Sequence, residues 1–532
     1  MVLLKNTFAR TLLLVLLLQP LASAFAAELK DIGSFNFPTS ASPAAQEQFL
    51  LGVGYLHSFG WTQAQQAFLK AQEIEPDFAL AYWGESFTYN HPFIAEWDSE
   101  SPRRALQKLA PTIEGQLAKA PTEREKAFLR VAQAYAYTPG DISTRRLAQM
   151  QAMREAYAAF PDDREVTAFY AVALLTGAAA TNDADERDRL NMQAGALALE
   201  LFRENENHPG AAHYIIHAFD DPVHAPLALV AAKKYASIAP AVSHARHMPT
   251  HIFIQHGMWQ EVSDWNESSF QAGADLWQPG DRPNDMNHSS DWGQYGDLQL
   301  GDYARARRWI DKAQQVQQDN PDDARSANTV KEVEARYIIE TRQWQLAPIT
   351  AQTSAAELLA IGMSAANLGD FPLAQQAADR LAQMAQAQPN NTVLKIAQLE
   401  VAALTELRQA QAASTPPVKE KVTSALARLA EGVRLAETMR PPNGAANPHK
   451  PVYELYGELL LEVGRPDEAM AQFRQSLLRM PNRPLSVLGL ARSHAAKADQ
   501  AAAAEQYRQL LSVWGQRDFA ETREAREYLG SL

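Results

Sequence analysis

Apolar and small residues recur along this chain with a helical period nested inside a longer one. Counting from Ala45, positions 7, 8, 11, 20, 24 and 27 are Leu51, Gly52, Tyr55, Ala64, Phe68 and Ala71, with Pro76 at 32 and only Gln48 polar at 4. From Lys450 the same frame gives Tyr453, Tyr456, Gly457, Leu460, Ala469, Phe473 and Pro481, with Gly464 where the chain must turn. A unit from Pro484 supplies Val487, Leu490, Ala503 and Tyr507, and one from Ala355 supplies Leu358, Ile361, Gly362 and Ala374 around Gly369–Asp370. Large residues alternating with small ones at helical spacing predict paired helices that interlock and leave a face for the next pair. Long alternating runs are absent and Ala, Leu, Gln, Glu and Arg dominate, so strands are not expected.

Between about Pro102 and Asn205 the long period fades while helical patterning continues. Gln409–Ser424, with Pro416–Pro417, and Arg440–Pro451 read as loops interrupting the stack. The expected organisation is a leader over 1–26, an N-terminal run of helix pairs over 27–345 and C-terminal repeats over 346–532.

Nine of the 13 histidines lie between His208 and His288. Four of them form two pairs, His213/His217 and His247/His251, each with i, i+4 spacing that puts both rings on one helix face. The pairs are offset by 34 residues. Units drawn from Pro209 and Ser243 put both pairs at positions 5 and 9, and a unit from Asn287, shifted by an insertion, puts His288, Asp291 and Tyr295 at 2, 5 and 9. Equivalent positions stack in a solenoid, so the four imidazoles are expected to form a square. Pro249 falls at position 7 and is suited to the first turn of a helix, which moves His247 to or before that helix start.

The frame and its period resemble the tetratricopeptide repeat (TPR) family. The resemblance implies an all-α fold, a right-handed α-α superhelix or TPR solenoid. It also implies that positions 2, 5, 9, 12 and 13 of each first helix line a concave groove. That places His213, His217, Asp220, Asp221, His244, His247, His251, His288, Asp291 and Tyr295 on the inner face, and a unit from Ala79 adds Asn90 and His91. The blocks His208-Pro-Gly-Ala-Ala-His-Tyr, His247-Met-Pro-Thr-His-Ile-Phe, Ala81-Tyr-Trp-Gly, Tyr89-Asn-His-Pro and Glu454-Leu-Tyr-Gly also resemble a large group of bacterial secreted repeat proteins. That second resemblance supports the fold and names no reaction.

The first residues carry Lys5 and Arg10, the apolar run Thr11–Leu18 and small residues to Ala26–Ala27. This is the pattern of a cleavable secretory signal, and the run is too short for a membrane-spanning helix. A periplasmic or secreted protein of a Gram-negative bacterium is expected, with no membrane span after cleavage. There is no cysteine, so neither a disulfide nor lipid attachment through cysteine is available. With 49 basic against 62 acidic residues the net charge is −13, which argues against a nucleic-acid partner.

Mixed imidazole and carboxylate side chains point first to one transition-metal ion, zinc, iron, copper or nickel. The expected ligands are His213, His217, His247, His251 and Asp291, with Asp220 or Asp221 as acceptors for the outer ring nitrogens. A second reading is a groove for a small anionic molecule or a peptide, lined by His91, His244, Arg246, His288 and Tyr295, with Trp259 and Trp265 nearby. A third is a protein–protein interaction scaffold without metal, and a fourth a purely structural network of hydrogen-bonded histidines. Catalysis has thin support. His213-Tyr-Ile-Ile-His217 lacks the glutamate of a His-Glu-x-x-His metalloprotease, and no nucleophile elbow or phosphate-binding loop is present. No residue is assigned a catalytic role, and a metal-dependent hydrolase, with Asp291 or His288 taking the proton and Glu96 and Asp98 at the mouth, is the last alternative.

Overall fold

The computed structural model describes residues 31–93, 98, 100–413 and 418–532. The expected leader over 1–26 lies outside them, as does Glu96. Every regular element among the described residues is a helix, and consecutive helices pack against one another in pairs. None of these helices is long and apolar enough to cross a membrane.

The hairpins begin and end where the sequence places its punctuation. Helix Ala355–Leu368 starts with a capping box, in which Ser354 caps the Glu357 amide and the Glu357 carboxylate returns to the Ser354 amide. It stops at Gly369, whose φ of +83° is one an L side chain rarely adopts. Asp370 then caps Phe371–Ala387 by accepting from the Leu373 amide at 3.2 Å.

What locks one hairpin to the next is an aromatic ring seated against glycines. Phe68, on Trp61–Ile74, is fully buried between Gly52 and Gly84 on the two flanking first helices. A Cβ at Gly52 would come within 2.6 Å of the ring, and one at Gly84 would come closer still. Phe473 repeats the arrangement against Gly457, where a Cβ would meet it at 2.8 Å, and Gly489. Bulk at position 24 therefore demands glycine at position 8 of its own unit and at position 6 of the next.

The described chain divides into two compact units. The first comprises the residues up to Tyr214 and Lys234–Ala245, the second Ile215–Lys233 and Arg246–Leu532. The stretch from Gln343 to Thr353 is a non-helical connection inside the second unit.

Two loop expectations fare differently. Arg440–Pro451 is irregular as expected, but Gln409–Ser424 is not a loop throughout. Thr392–Ala412 and Val418–Glu437 extend into it from either side.

The second unit closes on itself. Trp514 donates its indole N–H to Gln299 O at 2.7 Å, and Asn482 donates to His256 O at 2.9 Å. Fully buried Arg483 pairs with Glu454 at 2.8 Å and reaches Glu340 at 3.0 Å and the Tyr295 hydroxyl at 3.2 Å. Lys450 adds a second cation to Glu454 at 2.9 Å. Burial alone would raise the Glu454 pKa; the Arg483 and Lys450 charges instead hold it well below the usual carboxylate range.

Removing the ring that fills the glycine slot should leave a cavity at the joint between two repeats. Phe473→Ala is expected to cost about 3–5 kcal/mol in urea denaturation. Leu478→Ala, at a side chain that is 66% exposed, should change stability by less than about 0.5 kcal/mol.

Candidate metal centre

Pro249 decides the local geometry of the histidine-rich segment. Helix Ser243–His247 ends before it and helix Pro249–Gln255 begins at it, so His247 and His251 belong to different helices rather than to one i, i+4 face. Their rings nonetheless converge, with the Nε2 atoms 3.0 Å apart. His288, from helix Asn284–Gln299, completes the group: its ring centroid is 4.2 Å from that of His247, and one nitrogen of each ring lies within 4.8 Å of the others. Trp292, one turn after His288, packs on His251 at 4.2 Å and meets His247 edge-on at 5.0 Å.

The hydrogen bonds fix where the protons sit. His247 Nδ1 is 2.7 Å from Asn266 Oδ1. The Asn266 amide nitrogen must face Val262 O, 2.7 Å away, since a carbonyl only accepts. The Asn266 oxygen is therefore an acceptor, and His247 carries its proton on Nδ1. His251 Nδ1 donates to Asp220 Oδ2 at 2.7 Å, so its proton is on Nδ1 as well. In the neutral rings both Nε2 atoms present lone pairs to each other, a repulsive contact unless a proton or a metal cation sits between them. Burial first, then a charge on His251, hold His247 well below the ordinary histidine range, so His247 is the acceptor of the pair. A metal suits the spacing, because 2.0–2.1 Å bonds at tetrahedral or right angles set ligand nitrogens roughly 2.9–3.4 Å apart.

The surroundings also point to a cation. Asp220 accepts from His251 and, at 3.1 Å, from Asn443, while its Oδ1 is buried without a hydrogen-bond partner. The carboxylate–histidine pairing orients a ligand ring and raises its basicity. Arg325 acts the other way, adding a positive field at His247. Two of the three rings, His251 and His288, line a cleft of about 570 Å³ within the second unit.

The structure redistributes the expected site. His217 approaches His251 with centroids 6.2 Å apart, outside the ligand group. His213 lies in the first unit and faces His244, Nε2 to Nε2 at 3.2 Å, with its Nδ1–H donated to His57 O at 2.7 Å. His251 lies between His217 at 6.2 Å and His247 at 5.0 Å, centroid to centroid, and Pro249 puts His247 and His251 on separate helices. His288, expected among the groove residues, is the third ring of the triad. Asp291 is not in the ligand set, since its carboxylate is engaged by Arg336. Tyr295 does not line the cleft: its buried hydroxyl is held by Arg483, and burial pushes it up to about 12. Arg246 donates to Ser268 at 3.1 Å. Asp221 caps His224 rather than serving the triad. His91 stacks on Trp61 at 4.4 Å and donates to Thr88 O at 3.0 Å, within the first unit. Asp98 caps the Glu100 and Ser101 amides, each at 2.9 Å. Asn266 and Asn443 give no signal in the repeat frame, one falling on a second helix and the other in an irregular loop.

Another histidine cluster is fully buried in the first unit. His57 and His208 both point Nε2 at Glu165, at 2.9 and 3.2 Å, and the second nitrogen of His57 meets the Tyr214 hydroxyl at 2.9 Å. Burial would raise the Glu165 pKa, but His208 and His57 lower it to about 2. Burial keeps His57 below its ordinary value, so the carboxylate is the charged member and His57 a neutral donor. This cluster ties helices Pro43–His57 and Arg164–Ala180 together.

A depressed carboxylate pKa contributes stability above its ordinary value of 4.5, and that contribution is lost as pH falls toward about 2. Glu165→Gln should accordingly lower the melting temperature at neutral pH, by the equivalent of about 3 kcal/mol. The gap to the parent should narrow over the window from 4.5 to about 2 in a series of thermal melts.

No family model matches the chain, and no curated protein matches it. Among solved structures, yeast Tom70 is 12% identical, with 92% of this chain and 88% of that chain covered and a TM-score of 0.29. The human IFIT1 dimer with m7Gppp-AAAA is 11% identical, with coverages of 91% and 92% and a TM-score of 0.32. The TPR domain of P58(IPK) is 12% identical, with coverages of 86% and 98% and a TM-score of 0.24. In its paired helices and its glycine-seated aromatic rings, the chain resembles the tetratricopeptide-repeat proteins.

Proposed function

We propose that this chain is a TPR-type binding protein whose second unit holds one transition-metal ion on His247, His251 and His288. The observation that carries the reading is the convergence of three imidazoles, with one nitrogen of each within 4.8 Å of the others and the His247 and His251 Nε2 atoms 3.0 Å apart. Zinc, iron, copper and nickel all accept imidazole ligands. Three protein ligands leave a coordination position open, in contrast to the closed four-ligand sites of structural zinc. His251 and His288 line the cleft, so a ligand there would reach an ion held by the triad. We assign the protein to the periplasm or the extracellular space, on the basic, apolar and small-residue order of residues 1–26. A scaffold for partner proteins is the second reading, favoured by the surfaces that stacked helical hairpins offer.

Elemental analysis of the full chain, incubated in turn with each of the four metals and then dialysed, should find about one ion per chain. His247→Ala with His251→Ala should abolish uptake while the helical circular dichroism persists. Asp220→Asn should weaken affinity about 10–100-fold. A parent chain that retains none of the four metals overturns the reading. A partner protein captured equally by the parent and the double variant would instead support the scaffold.

A further inference from the structure

The cleft beside the triad is unlike the rest of the molecule in charge. The chain as a whole carries −13, yet four arginines line this cleft, Arg325, Arg336, Arg440 and Arg479, against two carboxylates, Asp291 and Glu332. Both carboxylates are already committed, Asp291 to Arg336 and Glu332 to His449 at 2.9 Å. Arg325 and Arg440 line the same cleft as two of the triad's rings, His251 and His288. A divalent ion on the three neutral imidazoles would add to that positive field, and an anionic ligand offsets both.

The same walls carry an apolar portion, with Trp292, Ile396, Met439 and Tyr453 among the lining residues. A cleft of about 570 Å³ is the size of a small-molecule site and far larger than an inorganic anion requires. One wall is the irregular segment Arg440–Pro451, which the chain attaches directly to the triad's support. Asn443 donates to Asp220 at 3.1 Å, and the backbone at Gly444 lies so close to Trp292 that a Cβ there would come within 2.7 Å of the ring. A ligand in the cleft thus touches a wall mechanically joined to the metal ligands.

We infer that this cleft binds an organic carboxylate. One carboxylate fills the open coordination position beside His251 and His288, the body lies along Trp292, and a second anionic group pairs with Arg325 and Arg440. Planar guanidinium groups match carboxylates two bonds at a time, which favours this class. The inference rests on the metal reading for the first contact, and on the arginines alone for the second.

The test uses the full chain loaded with cobalt(II), whose visible absorption reports a new oxygen ligand, titrated with acetate, benzoate, phthalate and citrate. Phthalate or citrate should shift the spectrum with half-saturation below about 1 mM, and acetate should be at least about tenfold weaker. Arg325→Gln and Arg440→Gln, both at exposed positions on the rim, should raise the half-saturation about tenfold or more with cobalt content unchanged. Bound cobalt with no response to any of the four acids below about 10 mM, or the same titration in parent and arginine variants, overturns the carboxylate site. A chain that takes up no cobalt overturns the metal reading instead. The acids are then followed by calorimetry on the metal-free chain, where arginine-dependent binding retains the site and no heat of binding overturns it.

Discussion

The closest approach between successive helices sets what this chain can build. At two joints an aromatic ring on a second helix enters a slot between two first helices, and both of those helices carry glycine there. Phe68 between Gly52 and Gly84, and Phe473 between Gly457 and Gly489, are two instances of one steric rule. The ring supplies buried apolar area and the glycine supplies the gap, and neither stabilises without the other. Because the rule repeats, hairpins dock in register, and residues far apart in sequence arrive at predictable heights on neighbouring helices.

That register brings imidazoles together, but hydrogen bonds to their outer nitrogens give the arrangement its chemistry. Asn266 and Asp220 each take an Nδ1 proton, which turns the inner nitrogens of His247 and His251 toward each other. At His57, by contrast, one nitrogen meets Tyr214 and the other Glu165. The two clusters have similar composition and opposite proton accounting. In the buried trio the carboxylate is the hub and both rings turn toward it, whereas in the triad the carboxylate stands behind a ring and turns it inward.

The cleft belongs to the same design. Its arginines stand in an acidic protein, and its irregular wall is anchored to the triad through Asn443 and Gly444. Arg440–Pro451 is rich in Pro, Asn and Gly, a composition that forgoes helix and leaves its backbone able to lie flat on Trp292. Histidine triad, aromatic floor and cationic rim are therefore one connected surface, supplied by segments between residues 220 and 480.

Local sequence determined the helices, their caps and the glycine–aromatic joints, because each depends on residues a fixed short distance apart. Ser354 with Glu357, Gly369 and the spacing from Gly457 to Phe473 are legible without coordinates. The concentration of histidines between His208 and His288 was legible too, as was the helix start at Pro249. Which histidines meet was not. His288 joins His247 and His251 because helix Asn284–Gln299 packs beside them, and Asp291 turns to an arginine 45 positions later in the chain. Asn443 reaches Asp220 across 223 positions. Partners chosen at such separations depend on how whole helices pack and on which buried donor must find an acceptor, and no periodicity in a single sequence encodes that.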